Sequence, residues 1–195
     1  MSGADFFDVV LSQRACRSYA PDPVNDDDVT RILEAATHAP SAENSQPWEF
    51  VVVRSAEARA AVDKLTRRIW EGGGRAHAEQ SVTPRLLVEV DNFFGGGYGG
   101  APVVVVVAGD STAVLSPDLL PSSIYPAIQN LLLAAAALGY GSAMTTLATH
   151  AAPQLRAAVG LPEHMVPMAV IPIGRPARTL GPPRRKPVSE VTREC

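Results

Sequence analysis

The sequence predicts an α+β fold, a central sheet flanked by helices, on three observations. Several stretches carry apolar residues at helical spacing, and short runs rich in valine and other β-branched residues lie between them. In addition, Pro121 to Leu138 is apolar on nearly all sides, which suits a helix enclosed within a core or a subunit contact. The 195 residues suit a single domain, 1–195, because one core can still grow at that length.

The elements follow in order. About Asp5 to Arg14, Phe6, Val9 and Val10 recur at helical spacing and lead into Arg14-Ala15-Cys16-Arg17. After Pro21 and Pro23, Asn25 can cap a helix whose first turn holds Asp26, Asp27 and Asp28, where the helix dipole favours negative charge. Val29, Ile32, Leu33 and Ala36 form its apolar stripe, and Pro40 stops it. Trp48 to Val53 reads as a strand, and Ser55 caps a third helix through Val62, Leu65 and Ile69 that ends at Gly72-Gly73-Gly74. From 72 to 100 periodicity is poor and glycine abundant, apart from a short segment around Leu86 to Val90, so a mobile loop excursion or lid is expected there. Five successive valines, Val103 to Val107, suit a strand buried on both faces. The long apolar helix then ends at Gly139. A strand at about Ser142 to Thr146, a short helix near Pro153 to Val159 and a strand at Met165 to Ile173 complete the domain, followed by a proline-rich, basic tail.

Composition narrows the function. Hydrophobic residues make up 46% and charged residues 19%, which excludes a largely disordered chain. A net charge of -3 gives no general attraction to nucleic acid or an acidic membrane, so an anionic ligand must be held by a local cluster. The longest unbroken apolar runs, Ala101 to Ala108 and Leu131 to Leu138, fall short of the ~20 residues that span a bilayer. The N-terminal stretch carries acidic residues and lacks a secretory pattern, so a cytoplasmic location is expected. Cys16 and Cys195 are too few for a disulfide framework or a zinc knot and read as two free thiols.

Several familiar motifs fail. Gly95, Gly97 and Gly100 fit G-x-G-x-x-G, yet a dinucleotide fingerprint follows a strand, whereas this one precedes a strand. The chain has no P-loop, G-x-S-x-G, H-E-x-x-H or C-x-x-C motif, and His38, His77, His150 and His164 are scattered without metal-ligand spacing. Three other stretches share one chemical logic. Gln13-Arg14-Ala15-Cys16-Arg17 near the N-terminus and Arg184-Arg185-Lys186-Pro187 near the end are cationic, while Ala39 to Trp48 is a polar turn between helix and strand.

The order of an Arg-rich turn, PDPV, a helix ending in APSAENSQPW, a strand, the stretch IQNLLLAAAALGYGS and PIGRPA resembles the nitroreductase family over nearly the whole chain, with 72–100 outside the match. The resemblance implies a nitroreductase-like, mainly antiparallel sheet in an intertwined homodimer. It also implies an FMN-dependent enzyme that takes electrons from NAD(P)H and passes them, in a ping-pong cycle, to an electron-poor small molecule such as a nitroaromatic or quinone. Neither nucleic acid nor a membrane is expected as a partner. FMN presents a phosphate at one end and, at the other, a ring edge that becomes negative on reduction, so it calls for cations at both. By the family's pattern Gln13 and Arg14 address the phosphate end, and Ala15 belongs to the same cofactor-binding turn. Arg17 lies beside the pyrimidine edge and tunes the flavin, while no side chain acts as a catalyst in its own right.

The resemblance also implies that Pro40, Ser41, Ala42 and Asn44 approach from the partner subunit, with Gln46 of the same turn among the cofactor-binding residues. Gly141, Ser142, Ala143 and Met144 pass the reactive edge, although Gly139 and Gly141 serve equally well as a helix stop and a turn. Arg184 and Arg185 reach the phosphate from the tail. The family's Arg-Arg-Ser-x-Arg pattern is altered, with Gln13 for the first arginine and Ala15 for the serine. That implies either weaker flavin binding or compensation by Arg184, Arg185 and Lys186. Two further readings stand beside this one: a flavin-binding or storage protein with little turnover, and an enzyme of the same fold that oxidises another metabolite.

Overall fold

A computed structural model of the chain describes residues 5–195; the first four residues of the N-terminal stretch lie outside it. Its centre is a sheet in the order β1-β2-β4-β3, made of β1 (Trp48–Val53), β2 (Val103–Asp110), β3 (Gly141–Ser142) and β4 (Met165–Gly174). The three pairings between these strands are antiparallel, in line with the mainly antiparallel sheet expected.

The valine run explains how one sheet supports two cores. Successive side chains of a strand point to opposite faces. Val104 and Val106 join one buried cluster with Val62, Leu65, Trp70, Phe93, Phe94 and Leu155. Val103, Val105 and Val107 join the other with Ile32, Ile124, Ile128, Leu131 and Ile171.

Local rules set the helices. Helix α1 (Phe6–Ser12) is capped by the Asp5 carboxylate. In α2 (Asp26–Thr37) Asn25 accepts from the Asp27 N–H and three aspartates fill the first turn, as its sequence predicts. Ser55 caps α3 (Ala56–Ile69) through the Ala58 N–H. Helix α7 (Leu120–Ala137) ends before Gly139, whose φ of +79° suits a residue without a side chain. The stretch Pro117–Ala137 is long and apolar enough to cross a membrane by length and composition, which counting unbroken runs does not reveal. Ile124, Ile128, Leu131 and Ala135 nevertheless pack into the core beneath the sheet. Helix α8 (Ala152–Val159) precedes β4, and a short α9 (Val188–Val191) lies in the exposed tail.

Two expectations need correction. The strand expected at Ser142 to Thr146 shrinks to Gly141–Ser142 plus one isolated bridge from Thr145 to Val170. The segment 72–100 is helical rather than a loop excursion: Gly72 to Gly74 do not stop the chain but form a wide helical turn, Trp70–Gly74, with Gly73 at φ +146°. It runs on into α4 (Arg75–Glu79), α5 (Pro84–Gly95) and the single turn α6 (Gly97–Gly100). Thr83 caps α5, Pro84 occupies its first turn, and Leu87, Phe93 and Phe94 are buried. Aromatic contacts link Trp70 to Phe94, Phe94 to Phe93 and Phe93 to Tyr98 at ring distances of 5.0, 5.1 and 5.6 Å. The abundant glycine conceals this burial.

Candidate active site

The Arg-rich turn is fixed by backbone pairing. The Cys16 N–H donates to Ser142 O at 2.9 Å, and Ala15 forms a parallel bridge with Ser142. The Tyr19 N–H donates to Gly99 O at 3.0 Å. A Cβ on Gly99 would stand 2.1 Å from the Arg17 carbonyl oxygen, so only glycine allows α6 to approach this segment. The last glycine-rich turn before β2 therefore braces the turn that carries Arg17. Tyr19 completes the brace, its one hydroxyl proton shared between Cys16 O at 2.7 Å and Pro172 O at 3.2 Å. Burial pushes the Tyr19 phenol well above its ordinary range, with the neighbouring Cys16 adding to the effect. Burial also pushes the Cys16 thiol up, against smaller lowering effects of its bond to the Ser18 carbonyl and of Tyr19, Arg17 and Arg178.

Around this turn lies a cavity of about 410 Å³ that draws on both ends of the chain. Gln13, Arg14, Ala15 and Arg17 meet Arg184 and Arg185 there, with Leu86, Leu132, Ala143, Met144 and Pro183 as apolar walls. Four arginines around an apolar slot suit a planar ring that carries an anionic group. A second cavity, about 490 Å³, shares Arg14, Ala15 and Arg17 and extends along Glu89, Asn92, Gly96, Gly99 and Arg178. A third, about 400 Å³, brings Gln13 and Arg14 to Gly141 and Ser142. The Arg14 guanidinium is anchored to Gly181 O at 2.9 Å, which ties the start of the tail to the site.

The expected residues thus divide. Gln13, Arg14, Ala15, Arg17, Gly141, Ser142, Met144, Arg184 and Arg185 line cavities that meet at Arg14. Lys186 lines none of the three. Nor do Pro40, Ser41, Ala42, Asn44 and Gln46. That turn docks on α7 instead, where the Ala42 N–H donates to Ser123 Oγ at 3.1 Å. Ser41 Oγ accepts from the Gln46 N–H at 3.0 Å, Asn44 Oδ1 accepts from Gln46 Nε2 at 3.2 Å, and Glu43, Asn44 and Gln46 all have positive φ. A tight, mostly exposed turn held in left-handed backbone is a shaped surface.

For Gly141 the packing reading has direct support: a Cβ there would lie 2.6 Å from Cys16 Cβ. The Ala143 N–H is likewise committed to Pro172 O at 3.3 Å. Reasoning from sequence missed Arg178, Glu89 and Asn92. The signal for the last two was present, since Thr83-Pro84 followed by Leu87, Val90 and Phe94 is a cap and an apolar stripe.

Among the described residues no group of three or more His, Cys, Asp or Glu could hold a metal ion. The nitroreductase family model matches residues 10–175. A protein of Methanothermobacter thermautotrophicus, provisionally named an NADH dehydrogenase/NAD(P)H nitroreductase, is 30% identical over 93% of this chain and 82% of its own length. The NADH dehydrogenase of Thermus thermophilus is 28% identical over 93% of this chain and 91% of its own. Among solved structures, a provisionally named nitroreductase from Desulfovibrio desulfuricans in complex with FMN superimposes with a TM-score of 0.78 at 27% identity, covering 99% of this chain and 98% of that one. A sequence match across most of the chain, on a fold that brings the Arg-rich turn and the basic tail to one slot, leads to a single family assignment: this chain belongs to the nitroreductase family.

Proposed function

We propose that the protein is an FMN-dependent oxidoreductase that passes electrons from NAD(P)H to an electron-poor small molecule of the nitroaromatic or quinone type, in two half-reactions at one site. The observation that carries this reading is the slot in which Arg14 and Arg17 from one end of the chain meet Arg184 and Arg185 from the other. Its donor set fits FMN, with cations for the phosphate and apolar walls for the ring. When bound, that flavin supplies the two-electron chemistry.

The chain's own residues bind and orient it. Arg14 and the tail arginines would hold the phosphate through charge-assisted hydrogen bonds, and Arg17 would stabilise negative charge on the reduced ring. Leu86, Leu132 and Met144 exclude water from its sides. This reaction requires no nucleophile or general base from the protein, in keeping with the four dispersed histidines.

The working unit is a homodimer acting in the cytoplasm. Two features support the dimer. Helix α1 buries none of its residues, leaving Phe6, Phe7 and Leu11 65%, 69% and 68% exposed. The Pro40–Gln46 turn lines none of the three cavities of its own copy and is mostly exposed, so it is available to face a second copy.

Anaerobic addition of NADH or NADPH to the FMN-loaded protein tests the function. The flavin absorption band should bleach with at least one donor and return when a quinone is added. A band unchanged by both nicotinamides would instead favour the storage reading, and intersecting rather than parallel double-reciprocal plots would remove the ping-pong cycle.

A further inference from the structure

Two arginines beside the site are assigned no role in holding the flavin. Arg178 Nη2 lies 2.7 Å from Glu89 Oε1, and Arg85 Nε lies 3.9 Å from the same oxygen. One carboxylate thus faces two guanidiniums and cannot neutralise both. Their side chains are 57% and 82% exposed, open to a ligand. Together with Arg14, Arg184, Thr83 and Thr179 they line a cavity of about 610 Å³ whose single acidic residue is Glu89. In a chain of net charge -3 this surplus of positive charge is local.

We propose that Arg85 and Arg178, linked by Glu89, form a subsite for the 2′-phosphate of NADPH and make NADPH the preferred electron donor. The proposal rests on the flavin oxidoreductase reading, in which Arg14, Arg184 and Arg185 already serve the flavin's one phosphate. Arg85 lines a cavity that includes neither Arg17 nor Ala143 nor Met144, whereas Arg178 and Glu89 border both that cavity and the one beside Arg17. An anion held there belongs to a ligand that reaches beyond a single aromatic ring. The cavity lined by Arg17, Glu89 and Arg178 joins the two places and gives such a ligand a path. A phosphate dianion matches paired guanidinium forks, with the hydroxyls of Thr83 and Thr179 as further donors. Glu89 acts as a positioning residue that holds the two arginines in one cluster.

Calorimetric titration of the FMN-saturated protein with adenosine 2′,5′-bisphosphate and with adenosine 5′-monophosphate tests this without turnover. The bisphosphate should bind at least about tenfold more tightly, since a charged group gains strong hydrogen bonds here. Arg85→Ala and Arg178→Ala should each remove most of that advantage, and Arg85→Lys should keep part of it. The NADPH-to-NADH ratio of kcat/KM should fall in the same order. Equal affinity for the two probes, no binding of either, or an advantage that survives both alanine variants overturns the subsite. So does a result in which the variants leave the probes unchanged but weaken 4-nitrobenzoate relative to nitrobenzene, which assigns the cluster to the acceptor. Failure of the flavin to bleach would instead remove the parent reading, so the two failures are distinct.

Discussion

At the scale of single residues, the turn from Arg14 to Tyr19 shows how buried polar contacts hold charged side chains in place. Tyr19→Phe removes the one donor shared by two buried carbonyl oxygens and should cost about 1–3 kcal/mol, read from denaturant midpoints at pH 8. Because burial raises the Tyr19 and Tyr98 phenols, the folded state requires both in the neutral form. The stability they contribute is complete below the unfolded value of about 10 and is lost as pH rises through the folded values. The melting temperature should therefore drop above about pH 10, less steeply in Tyr19→Phe than in the parent.

Gly99→Ala places a Cβ against the Arg17 carbonyl at a φ of +65° and should destabilise by at least about 1–3 kcal/mol from the backbone alone. The same change should loosen flavin binding, because the displaced segment carries Arg17. The two thiols should separate in alkylation. Cys195 is exposed and should react readily near neutral pH, whereas Cys16, buried with a raised pKa, should react after unfolding. Equal labelling of both in the native protein would contradict the packing of Gly141 against Cys16.

At the scale of elements, legibility followed the strength of local signals. Asn25 and Ser55 act as caps, the five valines form a two-faced strand, and α7 ends before Gly139, all as the sequence predicts. Helix α5 was hidden because neighbouring glycines suggested a loop, although Thr83, Pro84 and the Leu87, Val90, Phe94 stripe were in view. Its burial depends on aromatic partners, Trp70 and Tyr98, that no local pattern joins to it. The strand expected after α7 is longer than the observed one, because beyond Ser142 only Ala143 and Thr145 still bond to β4 before the chain enters a short helical turn, Leu147–Ala151. The Arg-rich turn and the tail were legible as basic segments. Their meeting in one cavity, and the entry of Arg178 and Glu89 beside them, depends on contacts across more than 80 residues. A Val105→Ala change in the centre of β2 should cost about 1–3 kcal/mol through lost burial and an unfilled gap.

At the scale of the whole molecule, the proposed division of the site between the arginines of one copy and the Pro40–Gln46 turn of another would make assembly and activity inseparable. Sedimentation should give a dimer, and Arg17→Ala and Asn44→Ala should each weaken activity. If Asn44 serves the other copy's flavin, coexpressing the two variants should restore one working site per mixed dimer, to about half of parental activity for that species. No recovery would return the turn to a purely structural role. Most direct is a comparison of FMN with riboflavin in titrations of the flavin-free protein, since the two differ in the phosphate that the arginines are held to bind. FMN should bind at least about 100-fold more tightly, a gap that narrows in Arg14→Ala and in Arg184→Ala, as expected when charged hydrogen bonds of about 1.5–3 kcal/mol each are lost. Equal affinity for the two flavins, or no binding of either, would contradict the account.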